Sequence, residues 1–123
     1  MQQAPLVIVS TTLPSLSQAR HMAKAILKAR WAACVQYSPI RSQYWWQGKI
    51  TSASEYLVQA KTRAALAQSL LRFIKRQHPY SVPEIIVTPI LALDPSYRRW
   101  LEQETQAAQR RRPAGPSGRR TSA

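Results

Sequence analysis

The chain has 123 residues, 45% of them apolar, enough for one domain with one core. Its 18 Lys and Arg against 5 Asp and Glu give a net charge of +13 and a pI near 11.2. Charge on this scale attracts anions and nucleic acid non-specifically, but it specifies neither a fold nor an activity. One cysteine, Cys34, excludes an intrachain disulfide framework and a zinc finger, and no run approaches the roughly 20 apolar residues of a membrane span.

Leu6-Val7-Ile8-Val9-Ser10 is a short continuous apolar run, expected to be a strand buried on both faces, with a turn from Thr11 to Pro14. Ser15 and Gln18 have the spacing of a helix-capping box. Ala19, Met22, Ala23, Ile26 and Leu27 then recur at helical intervals, with Arg20, Lys24 and Lys28 off that stripe. His21 in this helix reads as solvated. Ala33 to Tyr37 is expected as a second strand, bent or placed at an edge by Pro39 and resuming from Ile40 to Trp46. The apolar neighbours of Cys34 mark it as an inert thiol.

Gln47-Gly48 is a turn signal, with positive φ expected at Gly48. Lys49 to Lys61 returns as the partner strand of a long hairpin, with Tyr44, Trp45 and Trp46 near its tip. Thr62 is expected to cap a second helix whose inward face is Leu66, Leu70, Phe73, Ile74 and Gln77. His78-Pro79 ends that helix, and Glu84 to Leu91 forms a fourth strand. Asp94-Pro95 opens a third helix carrying Tyr97, Trp100, Leu101 and Glu104. From Arg110 the chain has five arginines, no acid and no large apolar side chain, so residues 110–123 are expected to be a disordered basic tail beyond a domain spanning 1–109.

The order strand, helix, strand, strand, helix, strand and a further helix is that of an α+β, ferredoxin-like βαββαβ fold. Right-handed crossovers put both main helices on one face of the sheet. The other face is then open in a single subunit, yet its strands are apolar at successive positions. A homo-oligomer built through the sheet or its edges follows.

His78, Tyr80 and Glu84 fall within seven residues, held in extended conformation by Pro79 and Pro83. Glu84 is one of five acids and stands before a β-branched run, where Glu is depleted. It either holds a ligand or neutralises a nearby cation. His78 either holds a ligand or bonds free carbonyls at a helix end. The hairpin aromatics and Tyr80 suit either an interface or stacking on a planar ligand. Lys49 and Lys61 suit an anionic ligand, or pairing with Glu55. No nucleophile elbow, metal triad or glycine-rich phosphate loop is present, so the reading is non-enzymatic. The N-terminus lacks a basic start and apolar signal core, and a cytoplasmic protein is expected, without membrane attachment.

Ala32-Ala33-Cys34-Val35, Tyr44-Trp45-Trp46-Gln47-Gly48-Lys49-Ile50, Lys61-Thr62, His78-Pro79-Tyr80 with Pro83-Glu84, Pro89, Tyr97 and Trp100-Leu101 together resemble the CutA divalent-cation tolerance family, over residues 6 to 104. The resemblance implies a compact homotrimer, similar in architecture to PII-type signalling proteins, with a role in the response to metal ions. It implies ligand contacts at clefts between subunits from His78, Tyr80, Glu84, Trp46, Lys49 and Lys61. It also makes Glu84 and His78 candidate ligands for a divalent cation such as copper. Two positions depart from the family's proposed copper ligands, with Ser10 in place of a cysteine and Gln77 in place of a histidine. The alternatives from other classes are a nucleic-acid or anion binder acting through the basic surface and tail, and a purely structural trimer.

Overall fold

The computed structural model describes residues 3–111. Strand β1 spans Leu6–Leu13, helix α1 Leu16–Lys28, β2 Cys34–Trp46 and β3 Lys49–Arg63. After a single 3₁₀ turn at Ala64–Leu66 come helix α2 (Ala67–Gln77), β4 (Ile85–Ile90), α3 (Pro95–Glu104) and α4 (Gln106–Arg111). The four strands form one antiparallel sheet in the order β2-β3-β1-β4, the ferredoxin-like topology expected from the element order.

Alternation along the strands divides the sheet. Val7, Val9, Leu13, Val58 and Ala60 pack with Ala19, Met22 and Ile26 of α1 and Leu70 and Ile74 of α2 in one core. The opposite face carries Leu6, Ile8, Ser10 and Thr12 of β1 beside Arg63, Lys61, Gln59 and Leu57 of β3. Helix α3 covers one end of that face. Arg63 donates to the Thr105 hydroxyl (2.9 Å) and the Glu102 carbonyl (2.5 Å), and Lys61 lies 5.7 Å from the Tyr97 ring centroid. Cys34 is half-buried there, and the Tyr97 phenol is held above its ordinary pKa by burial and by Cys34.

Local chemistry accounts for most boundaries. Ser15 caps α1 by accepting from the Gln18 N–H (3.1 Å), and its hydroxyl donates to Gln18 Oε1 (2.9 Å). At its far end α1 closes in a Schellman motif, with Arg30 at φ 65 and the Trp31 N–H donating to the Ile26 carbonyl (3.2 Å). No glycine marks this stop, so it escapes a reading based on glycine. Arg30 is tied to Glu104 (2.7 Å), which fixes α1 against the C-terminal helices. Asp94 caps α3 by accepting from the Tyr97 N–H (3.0 Å) ahead of Pro95. The Ser96 hydroxyl and that N–H lower the Asp94 pKa.

Pro39 does not break β2, because β2 is an edge strand and has no neighbour on its outer side to need that N–H. The hairpin turns through Gln47 (φ 49) and Gly48 (φ 79), both left-handed as a type I′ turn demands. Only residues 56–63 of β3 pair with β1, so the distal half of the hairpin projects past the sheet as a two-stranded ribbon.

Several expectations are corrected. β1 continues through Thr11 to Leu13 where a turn was expected. Thr62 is not a helix cap. It is a buried residue of β3 whose hydroxyl donates to the Trp31 carbonyl (2.7 Å). Leu27 and Gln77 are exposed, at the margins of their helical stripes. Arg110 and Arg111 belong to α4, beyond the boundary expected at 109, because Arg111 stacks on Trp31 (4.9 Å) and its guanidinium donates to the Ala29 carbonyl at the end of α1. The rest of the expected tail, 112–123, lies outside the described residues.

Candidate functional site

The connection from α2 to β4 is rigid for a local reason. His78 precedes a proline and is extended (φ −80, ψ 137), which ends α2. Its ring turns back onto β1. Nδ1 accepts from the Tyr80 N–H (3.2 Å), so Nε2 carries the proton. Nε2 donates to the Thr12 carbonyl (2.8 Å), with the Thr11 hydroxyl 3.0 Å away. Burial lowers the His78 pKa below 6.5, against smaller opposing effects of the Thr12 carbonyl and the Glu55 charge. The imidazole is thus neutral, with both nitrogens occupied inside the chain.

This clamp aims Tyr80. Its ring lies 5.0 Å from that of His78, and its hydroxyl donates to Glu55 Oε2 (3.0 Å). Burial, then the Glu55 carboxylate, then Tyr44 push the Tyr80 pKa up to about 12, so the phenol stays a donor at neutral pH. Glu55 lies on β3 just past the last pair with β1 and is only 7% exposed. The β1–β4 register sets Ile85 opposite Thr11, which places Glu84 at the end of the sheet beside Thr12. Three separate segments therefore meet there: the end of β1, the 78–84 connection and the projecting ribbon.

They enclose a cavity of about 440 Å³ lined by Thr12, Tyr44, Trp45, Trp46, Glu55, Tyr80, Ser81, Val82 and Glu84. Of the residues picked out from the sequence, Trp46, Tyr80 and Glu84 line it. His78 stands behind it as the support for Tyr80. Lys49 sits at the hairpin tip outside the lining. Lys61 pairs with Ile8 and Cys34, six residues along β3 from Glu55, or about 20 Å at strand rise. Glu55 was missed as a site residue. Its one legible signal was an acid at a buried-strand position, and its partner, Tyr80, is 25 residues away.

Two carboxylates, a neutral phenol and aromatic residues share the cavity, a set whose chemistry suits positive charge. Among the described residues no three His, Cys, Asp or Glu side chains come together. Neither Ser10 nor Gln77 lines the cavity. The donors present are oxygens, which suit hard cations, and a copper site with thiolate or imidazole does not fit this set.

The fold and site define a ferredoxin-like α+β domain with an acidic, aromatic-walled cleft at the free end of its sheet. The chain belongs to the CutA1 divalent ion tolerance protein family, whose model matches residues 7–104. It is 37% identical over 103 residues to the chloroplastic CutA 1 protein of Oryza sativa, covering 83% of this chain and 58% of the rice protein. It is 38% identical over 105 residues to the divalent-cation tolerance protein CutA of Pectobacterium atrosepticum, covering 82% of this chain and 96% of that one. It thus spans just over half of the plant relative and nearly all of the bacterial one. Among solved structures it is similar to CutA from Synechococcus elongatus, with a TM-score of 0.81 and 34% identity over 85% of this chain and 94% of that chain. It is also similar to CutA1 from Pyrococcus horikoshii, with a TM-score of 0.78 and 39% identity over 80% and 97%.

Proposed function

We propose that this chain forms a homotrimer in which the cavity at the end of the sheet opens onto the seam between subunits and takes a small cationic ligand, as its part in divalent-cation tolerance. The placement of Glu55 and Glu84 carries the reading. The chain has 18 Lys and Arg and only five acids, yet these two share one cavity, and among the described residues neither forms an ion pair. The other three acids are spoken for: Asp94 caps α3, while Glu102 and Glu104 pair with Arg98 and Arg30. A carboxylate buried without a cation is costly, and a bound cation removes that cost.

Self-association is supported by what one copy leaves open. Trp45, Ile50, Val82, Ile86 and Leu91 are exposed, and among the described residues the ribbon edge of β3 from Lys49 to Glu55 has no strand beside it on the β1 side. Apolar surface and an unpaired strand edge both favour another copy. Light scattering after sizing should give three times the 14.0 kDa chain mass. Calorimetry should show cation binding that Glu84→Ala weakens about fivefold or more. A 14.0 kDa particle, or an anionic metabolite bound through Glu84, would refute the proposal.

A second reading has its own observation. Arg20, Lys24, Lys28, Arg72, Lys75 and Arg76 are all exposed on α1 and α2, and neither helix contains an acid. This surface fits a polyanion such as a nucleic-acid backbone. Binding that weakens steeply with salt, and that survives Glu84→Ala, would favour it.

A further inference from the structure

We infer that the ligand of this cavity is an organic ammonium ion, quaternary or protonated amine, rather than a bare metal ion. The inference rests on the cavity being a cation site, as proposed above, and names the class of cation. Tyr44, Trp46 and Tyr80 line the same cavity as Glu55 and Glu84, with Trp45, 72% exposed, at its margin. A metal ion draws its affinity from several close, shaped donors, and this cavity offers two carboxylates and two hydroxyl residues, Thr12 and Ser81, with a phenol already donating to one carboxylate. Aromatic faces contribute little to such an ion, because it holds its hydration shell. They contribute much to a large, weakly hydrated cation, whose charge is spread over methyl or methylene groups and meets the negative face of each ring.

Size agrees. A bare ion occupies a small fraction of 440 Å³, whereas this volume lies within the roughly 300–1,000 Å³ of small-molecule sites. Charge is graded across the site as such a ligand requires. Glu55 sits deep at 7% exposure with its second oxygen free of Tyr80, and Glu84 is exposed at the rim. The neutral phenol keeps a third negative charge out of the cleft at neutral pH. Trp46 lines the cavity and is half-exposed, so part of its ring is free to meet a bound head group.

The test is calorimetry or ligand-observed NMR on the full chain with choline, with the uncharged isostere 3,3-dimethylbutan-1-ol, and with Mn(II) and Cu(II). Choline should bind at least about tenfold more tightly than its isostere, the ratio expected when a partly desolvated cation–π and carboxylate contribution is removed. Glu84→Gln, at an exposed position where folding is undisturbed, should weaken choline about fivefold or more. Trp46→Leu should do the same, with the circular dichroism spectrum unchanged. Equal binding of choline and the isostere overturns the inference. Metal binding through Glu84 without choline binding overturns it while leaving the cation-site reading intact. Binding of none of these cations overturns both.

Discussion

His78 is the residue on which the site's geometry turns. Replacing it with alanine removes a donor to the Thr12 carbonyl and Thr11 hydroxyl and an acceptor for the Tyr80 N–H, and with them the tilted ring contact to Tyr80. Net values near 0.5–1.5 kcal/mol per bond, reduced for partial exposure, give a loss of about 2–3 kcal/mol. The same clamp makes stability pH-dependent. Protonation requires a proton on Nδ1, where it would face the Tyr80 N–H, donor against donor. The folded-state pKa is depressed below 6.5, so the unfolded chain binds more protons. Stability is therefore present above pH 6.5 and lost as pH falls below it, by at most about 1.4 kcal/mol per pH unit for one proton. The chain has only two histidines, so NMR assigns them directly. Nitrogen shifts should report the Nε2–H tautomer at pH 7.5, and the His78 midpoint should lie below 6.5. Urea titrations at fixed chain concentration should show the acid loss in the wild type and its absence in His78→Ala. A midpoint at or above 6.5, an Nδ1–H tautomer, or identical pH profiles for the two proteins would refute the clamp.

Tyr80→Phe should cost about 1.5–3 kcal/mol near neutral pH, since it strips the hydroxyl donor from a buried carboxylate, and urea unfolding measures it. In the wild type the Tyr80 phenol, raised to about 12, should make stability fall as pH climbs from about 10 to about 12, a window that shrinks in that variant. Gln47→Asn should raise thermal stability by a few tenths of a kcal/mol, roughly the relief expected when a residue suited to positive φ enters a type I′ turn; no change, or a loss, would count against that turn geometry. Thr62→Val should cost about 1–2 kcal/mol by leaving the Trp31 carbonyl without its buried donor, and an unchanged melting temperature would contradict the role given to that hydroxyl.

The order of strands and helices was legible because each element announces itself within a few residues: the Leu6–Val9 run, the capped stripe after Ser15, the Gln47-Gly48 turn and the Asp94-Pro95 start. Periodicity and capping act over a single turn or pleat, so one chain read left to right suffices for them. Trp46, Tyr80 and Glu84, conspicuous residue types in a stiff segment and at a hairpin tip, stood out in the sequence and line the cavity.

Tertiary structure alone decided the rest. Glu55 becomes a site residue only because strand register carries it past the end of β1 to the Tyr80 hydroxyl, and register is set by pairing across the whole sheet. His78 passes from candidate ligand to clamp because its two nitrogens meet β1, 66 residues away in sequence, and its own amide neighbour Tyr80. Lys61 leaves the site by the same register that brings Glu55 in. A sequence shows which groups a chain owns. Which of them share a cavity depends on contacts between segments far apart in the chain, and no local pattern encodes those distances.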